Sequence, residues 1–214
     1  MKPNRMTTVI IGPIALLACA AVLSTTAGRH AGTHDAPAPS VVPVSVSLQE
    51  ADWRETAVHM RLVDDLDRPQ DGWCLDVVGS GPNIRFDMPL IGHNIKPGLF
   101  ADEAVEFSDD GKILFPAYPG YCVTVMGLNQ HALPGAALML KRCDEQIPFL
   151  NAPKFQTFEH LDNGMVRLVG SDLCITMGSV SEVTFDPTHA WRTLYVERCD
   201  ACDPALSTWE FVRP

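Results

Sequence analysis

Patterns typical of enzymes and nucleic-acid-binding proteins are missing from this 214-residue sequence. It has no G-x-S-x-G, H-E-x-x-H or P-loop motif, and the histidines at 59, 93, 131, 160 and 189 stand far apart rather than at metal-ligand spacing. Basic runs are also missing, and the net charge of −10 repels phosphate backbones. These absences predict a protein that is not an enzyme, needs no metal or other cofactor, and does not bind nucleic acid.

Long helical stripes are missing as well. Short alternating runs occur instead, for example residues 58–62 and 165–169, and Gly, Asp, Asn and Pro separate them. Alternation with a period of two is typical of strands that bury one face. The sequence therefore predicts an all-β domain.

The N-terminal region has a different composition. In residues 1–27, Lys2 and Arg5 precede an apolar run that ends in small residues, which is the layout of an export signal. Lipidation of Cys19 and an uncleaved membrane anchor are the alternatives. Residues 28–50 are rich in Ala, Pro and Ser and predict a flexible linker before a domain at 51–214. All three interpretations predict a secreted or periplasmic domain, with membrane contact only through the N-terminal segment.

Six cysteines follow Cys19, and the cysteines of an exported protein tend to form disulfides because the compartment is oxidising. They are Cys74, Cys122, Cys143, Cys174, Cys199 and Cys202.

A threefold internal repeat dominates the rest of the sequence. Three stretches place an apolar residue before a cysteine and then alternate towards glycine: WCLDVVG (73–79), YCVTVMG (121–127) and LCITMGS (173–179). A second pattern follows each of them: MPLIGH (88–93), LMLKRC (138–143) and LYVERC (194–199), with His93 in the place of the cysteine. Large apolar residues then close the units at Val105, Phe158 and Trp209. Gly111 and Gly164 mark turns after the first two units.

This layout resembles the ricin B-chain-like lectin family over residues 58–212. The family's closing Q-x-W motif corresponds to 103–105, 156–158 and 207–209, and no unit keeps it in full. The resemblance implies a β-trefoil of three repeats, in which Val105, Phe158 and Trp209 are core anchors.

The resemblance also implies disulfides within units two and three, Cys122–Cys143 and Cys174–Cys199. Unit one lacks the second cysteine, so Cys74 is either a buried free thiol or the partner of Cys202.

Family members bind sugar through the aspartate of the C-L-D-V strand, an aromatic ring, and an amide near the closing motif. Unit one keeps that aspartate as Asp76, whereas units two and three have Thr124 and Thr176. The aromatic position itself holds Ile91. The resemblance therefore implies a candidate sugar site in unit one, made of Asp76, His93, Asn94, Phe100, Asp102 and Glu103. The alternative is that Asp76 only caps a turn with Ser80 or Gly81.

Two functions remain open at this point. The first is an exported carbohydrate-binding lectin module that binds a glycan at no more than one working site, in unit one. The second is a protein-interaction trefoil, such as an accessory subunit of a secreted complex or an inhibitor, in which the sugar sites have decayed. The predicted loops 131–138 and 181–191 would then contact the protein partner, with Phe185 and Trp191 as apolar contact residues.

Overall fold

The computed structural model describes residues 53–147 and 149–214. The predicted export signal or anchor and the predicted linker lie outside the described residues. The described chain is built almost entirely from short strands, β1 (His59–Leu62), β2 (Trp73–Asp76), β3 (Ile91–Asn94), β4 (Glu106–Phe107), β5 (Ile113–Leu114), β6 (Tyr121–Val125), β7 (Gly127–Leu128), β8 (His131–Ala132), β9 (Leu138–Arg142), β10 (Gln146–Ile147), β11 (Leu150–Asn151), β12 (Phe158–His160), β13 (Val166–Leu168), β14 (Leu173–Val183), β15 (Ala190–Arg198) and β16 (Trp209–Val212). Its α-helices have four residues each, α1 (Trp53–Thr56), α2 (Ala152–Phe155) and α3 (Pro204–Ser207), and one turn of 3-10 helix spans Gly81–Asn83. The prediction of an all-β domain is confirmed.

The strand pairing repeats three times along the chain. In each repeat the first strand pairs with the second at the position of the first cysteine, and the second strand pairs antiparallel with the third. The first strands are β1, β5 and β13, the second are β2, β6 and β14, and the third are β3, β9 and β15. Three copies of one pairing scheme confirm the repeat that the sequence predicts.

The fourth strands close the ring of repeats. Strand β4 pairs with β5, β12 pairs with β13, and β16 returns to β1, so the last strand of each repeat is bonded to the first strand of the next. The second and third strands form hairpins that also meet each other, since Thr193 pairs with Ile91 and bridges join Pro89 to Met139 and Ala137 to Tyr195. A closed barrel of first and fourth strands with three associated hairpins is the β-trefoil.

The core lies inside this barrel. Val105, Phe158 and Trp209 begin or precede the fourth strands, and all three are buried in one apolar cluster. The indole of Trp209 also donates a hydrogen bond to the carbonyl of Ile175, at 2.9 Å between the two heavy atoms. Each repeat therefore contributes one large apolar side chain to the shared core, in the place that the resemblance implies.

The turn glycines have the backbone conformation that the sequence predicts. Gly111 and Gly164 both have φ near +80°, in the region that L side chains rarely adopt. They connect β4 to β5 and β12 to β13, the joints between consecutive repeats.

The register of the first hairpin corrects one sequence alignment. Cys74 lies opposite His93, whereas Cys122 lies opposite Lys141, two residues before Cys143. The residue equivalent to Cys143 is thus Ile95, and His93 does not replace a cysteine. The assignment of His93 to the cysteine position was wrong by two residues.

The two pairs of cysteines that the resemblance implies are bonded, Cys122 to Cys143 and Cys174 to Cys199. Cys74 and Cys202 are unpaired in the described part of the chain. Cys74 lies on β2 of the first hairpin and is fully buried, so it is a buried free thiol.

The segment 181–191 is not a simple surface loop. Strand β14 extends to Val183 and β15 begins at Ala190, so most of the segment forms the end of one long hairpin. Phe185 at the tip is 80% exposed, whereas Trp191 is half-buried on β15. The strand continues beyond Gly178 after a register shift between Met177 and Ser181, and residues 179–183 do not alternate between buried and exposed, so the sequence pattern does not indicate this extension. Within the described ranges, no helix has the length and apolar character needed to cross a membrane.

Candidate functional site

The candidate site lies on the first hairpin and the turn that follows it. Asp76 ends β2 and faces Ile91 across the hairpin, while His93 faces Cys74. Asp102 and Glu103 come from the turn before β4, whose backbone is tied to β2 by the hydrogen bond from Val77 N–H to the Asp102 carbonyl. Pairing of local strands thus brings residues that are 27 positions apart in sequence into one cluster.

Lys96 lies at the centre of the cluster. Its ammonium nitrogen is 2.6 Å from an oxygen of Asp102, 3.1 Å from one of Glu103 and 3.5 Å from one of Asp76. All three carboxylates are buried. One half-buried cation therefore faces three buried carboxyl groups, so the cluster has fewer positive than negative groups.

The pKa values follow from that imbalance. Burial raises the pKa of Glu103 to about 7, although Lys96 opposes the shift. Burial likewise raises the pKa of Asp76 well above its usual range, with Lys96 again opposing. Burial disfavours the charge of Lys96, but Asp76 and Glu103 outweigh it and raise the pKa of the ammonium. Lys96 therefore stays charged, and part of the cluster's negative charge is relieved by protons.

Two histidines border the cluster, and both are neutral near pH 7. Burial lowers the pKa of His93 to about 4, and burial followed by the charges of Arg61 and Lys96 lowers the pKa of His59. The Nδ1 atom of His93 is 2.7 Å from the carbonyl oxygen of Asn94, so in the neutral ring Nδ1 must carry the proton. Its contacts of 3.8 to 3.9 Å with Glu103 and Asp76 are therefore not ion pairs.

Asp76, His93 and Glu103 place potential metal-ligand atoms within 4.8 Å of one another. The ammonium of Lys96 is nevertheless in contact with both carboxylates. It supplies the positive charge that a bound cation would supply, and it would repel such a cation. The geometry favours a lysine-centred cluster over a metal centre.

A pocket of about 540 Å³ opens above the cluster. Its polar floor comes from the first repeat, and part of its wall comes from the tip of the β14–β15 hairpin of the third repeat. Phe100, 44% exposed, and Phe185, 80% exposed, offer aromatic surface beside the carboxylates. The full lining is Asp76, Val78, Gly79, Ser80, Ile91, His93, Lys96, Phe100, Asp102, Thr184, Phe185 and His189.

Four of the six residues in the candidate sugar site line this pocket: Asp76, His93, Phe100 and Asp102. Glu103 lies beneath it, fully buried, and supports Lys96. The idea that Asp76 caps a turn with Ser80 or Gly81 is not supported, because its carboxylate contacts the Lys96 ammonium and none of the hydrogen bonds of the described residues joins it to Ser80 or Gly81.

Asn94 has a different role from the one the sequence suggested. Its amide nitrogen donates to Asp71 and to the Thr188 carbonyl, and its oxygen accepts from the Ala190 N–H. These bonds hold the β14–β15 hairpin of the third repeat against β3 of the first repeat. Asn94 therefore positions the wall of the pocket and does not line it.

Sequence reasoning missed Lys96 and His189. Lys96 carries a signal, because it is the only basic residue in the acidic stretch 94–103. His189 carries no such signal. It is nearly 100 residues away in sequence from His93 and Lys96, and only the fold brings it to the pocket.

The equivalent positions of the other repeats are neutral. In the second repeat, Gln156 takes the place of Glu103 and donates to Thr124 at 2.9 Å. In the third repeat, Thr176 donates to the Leu206 carbonyl and Ser207 donates to the Asp203 carbonyl. Neither repeat places a carboxylate where Asp76 stands.

Comparison with solved structures gives distant likenesses. The chain is 20% identical to the agglutinin from Abrus precatorius, over 73% of this chain and 48% of the agglutinin, with a TM-score of 0.49, so it spans about half the length of that protein. It is 12% identical to the Vibrio vulnificus hemolysin/cytolysin β-trefoil lectin with N-acetyl-D-lactosamine bound (74% of this chain, 94% of the other, TM-score 0.46). It is 13% identical to the mdaA-1 domain (72% and 88%, TM-score 0.47). No protein-family model and no curated protein matches the sequence.

Proposed function

We propose that this protein is an exported carbohydrate-binding module whose sugar site is the first-repeat pocket. The observation that carries the proposal is the juxtaposition of Asp76 and Asp102, fixed by Lys96, with the exposed rings of Phe100 and Phe185 in one pocket. Carboxylates are strong acceptors for hydroxyl hydrogens, and aromatic faces pack against the C–H surface of a sugar ring.

Lys96 serves this function by preorganising the acceptors. Its ammonium holds Asp102 at 2.6 Å and Asp76 at 3.5 Å before any ligand arrives, so little side-chain freedom is lost on binding. Preorganisation of this kind suits a small, weakly hydrophobic ligand such as a sugar.

The charge of the cluster favours a neutral sugar. Three carboxyl groups already share one ammonium, and burial raises the pKa of two of them. An acidic sugar would add a fourth carboxylate to the same cavity.

One site per chain is proposed. The second and third repeats have Thr124 and Thr176 in place of Asp76, and their hydroxyls already donate to the protein itself. Export is supported by the two disulfides, which persist in oxidising compartments.

The experiment is a glycan-array screen of the purified, oxidised protein beside two variants. Asp76→Thr installs the residue that the other repeats hold at this position, and Asp162→Thr removes a carboxylate from an exposed turn as the matched control. Circular dichroism confirms that each variant is folded. We expect neutral glycans to bind the wild type and the control, and to bind Asp76→Thr at least tenfold more weakly, because the variant leaves a buried sugar hydroxyl without its hydrogen-bond partner.

Unchanged binding by Asp76→Thr would remove Asp76 from the site. A folded wild type that binds no glycan on the array would reject the carbohydrate function. The search would then turn to a protein partner for the exposed tip of the β14–β15 hairpin.

A further inference from the structure

A second and larger cavity lies beside the first-repeat pocket. Its volume is about 850 Å³, and all three repeats contribute to it where their hairpins meet. The lining is almost entirely apolar. It consists of Val78, Met88, Pro89, Leu90, Ile91, Gly135, Ala137, Val183, Thr184, Trp191, Thr193, Leu194 and Tyr195.

The two cavities are neighbours. Val78, Ile91 and Thr184 line both of them, so the side chain of Ile91 stands at their common boundary. On one side of that boundary the lining is charged, with Asp76 and Lys96. On the other side it contains no ionisable group except the phenol of Tyr195.

The rim of the apolar cavity is exposed to solvent. Met88 is 42% exposed and Val183 is 54% exposed, and Phe185 of the adjoining pocket is 80% exposed. Apolar side chains gathered around a cavity at the surface indicate a binding site more strongly than scattered ones do.

We propose that the two cavities together bind an amphipathic glycoside, with the sugar in the first-repeat pocket and its apolar aglycone in the adjoining cavity. The ligand class is that of glycolipids and alkyl or aryl glycosides. This inference rests on the proposed sugar function, because the polar half of the ligand occupies that site. The boundary at Ile91 matches the glycosidic linkage, where such a ligand changes from polar to apolar.

The inference predicts that affinity increases with the length of the aglycone. Burial of one methylene group is worth a factor of about four. Ordering of the chain reduces this gain, so we expect the octyl glycoside to bind more than tenfold more tightly than the methyl glycoside of the same sugar.

The experiment is isothermal titration calorimetry of the whole oxidised protein with methyl and n-octyl β-glycosides of galactose, glucose and N-acetylglucosamine, the octyl compounds below their micelle concentrations. Val183→Asp places a charge in the apolar lining. Val180→Asp is its matched control, since Val180 lies on the same strand, is 69% exposed, and is outside both linings. Asp76→Thr tests the polar half.

We expect Val183→Asp to lower octyl-glycoside affinity to the methyl-glycoside level without changing methyl-glycoside binding, and Val180→Asp to leave both unchanged. Equal affinity of methyl and octyl glycosides would overturn the inference while the sugar function stands. If the octyl glycosides bind with the same affinity whatever their sugar, and bind Asp76→Thr as tightly as the wild type, both the inference and the sugar function are overturned. Binding of no octyl glycoside would also overturn it.

Discussion

The first and second repeats place different polar groups behind their β-hairpins. Behind the second hairpin, Gln156 makes neutral hydrogen bonds, donating to Thr124 and to the Arg142 carbonyl and accepting from the Asp144 N–H, each at 2.8 to 2.9 Å. Behind the first hairpin, Glu103 has no amide N–H and can donate only when its carboxyl group is protonated. It accepts from the Lys96 N–H at 3.4 Å and contacts the Lys96 ammonium.

The disulfides show the same contrast. Cys143 ties the end of the second hairpin to Cys122, whereas its equivalent in the first repeat is Ile95, which leaves Cys74 unpaired. The second repeat is thus built for stability, with neutral bonds and a covalent link. The first repeat places several titrating groups under an open pocket, which is typical of a functional site.

The largest effect is expected from removing the central cation. Lys96→Met leaves three buried carboxyl groups without their partner, and we expect it to lower the free energy of unfolding by about 3 to 5 kcal/mol at pH 8. The loss should be smaller at pH 5, because protonated carboxyl groups are neutral and the ammonium stabilises them less. Denaturation in urea at both pH values measures it.

The control for that variant is Lys112→Met in the second repeat. The Lys112 ammonium also contacts two carboxylates at 2.9 Å, those of Asp110 and Asp144, but both are exposed. We expect a loss of less than about 1 kcal/mol. Equal losses for the two variants would show that the first-repeat cluster is no more than a surface ion pair.

Removing the second-repeat disulfide should have the next largest effect. The bond closes a loop with a sequence separation of 21, so we expect Cys122→Ala/Cys143→Ala to lower the free energy of unfolding by about 3 kcal/mol. Cys74→Ala removes only a buried sulfur atom and should cost about 1 kcal/mol. Thermal and chemical denaturation of the two variants test the difference. A first repeat as sensitive as the second would contradict it.

Converting Glu103 to the glutamine of the second repeat should stabilise the protein in a pH-dependent way. The folded-state pKa of Glu103 is about 7, above the usual 4.5. Between these values the folded state holds a proton that the unfolded state has released, so this group makes the wild type less stable as pH rises from 4.5 to 7. Glu103→Gln lacks that loss and should gain about 3 kcal/mol over the wild type above pH 7.

The readout for Glu103→Gln is the difference between the two stability curves from pH 4 to 8. Taking the difference reduces the contribution of the buried histidines, which titrate in an overlapping range with the opposite sign. A constant difference across the range would contradict the raised pKa of Glu103.

A smaller effect is expected from removing one neutral hydrogen bond of the second repeat. Thr124→Val keeps the shape of the side chain but removes the hydroxyl that accepts from Gln156. The Gln156 amide keeps its bond to the Arg142 carbonyl, so we expect a loss of about 1 kcal/mol by chemical denaturation. A loss of 3 kcal/mol or more would mean that the neutral network behaves like the ionic one.

Much of the fold can be predicted from the sequence, because the repeats are marked by local patterns. The buried anchors such as Trp209 and the turn glycines such as Gly111 depend on short-range chemistry that a single sequence displays. The register of the first hairpin cannot be predicted in this way. A strand alternates every two residues, so a shift of two leaves the apolar pattern unchanged, and either His93 or Ile95 could be aligned with the second cysteine of the other repeats.

The candidate site was only partly predictable for a related reason. Asp76 and Asp102 lie near recognisable motifs, and both line the pocket. Phe185 was visible only as an apolar loop residue and His189 not at all, because their positions depend on a hairpin of another repeat that folds across the first. Asn94 fits the expected amide by residue type, yet it holds that hairpin in place.

The most direct test of the account is the affinity of the wild type and of Asp76→Thr for the tightest-binding glycan of the array, measured by titration calorimetry at pH 7. The account predicts that the variant remains folded and binds at least tenfold more weakly. Equal affinities would show that the carboxylate cluster of the first repeat does not bind sugar.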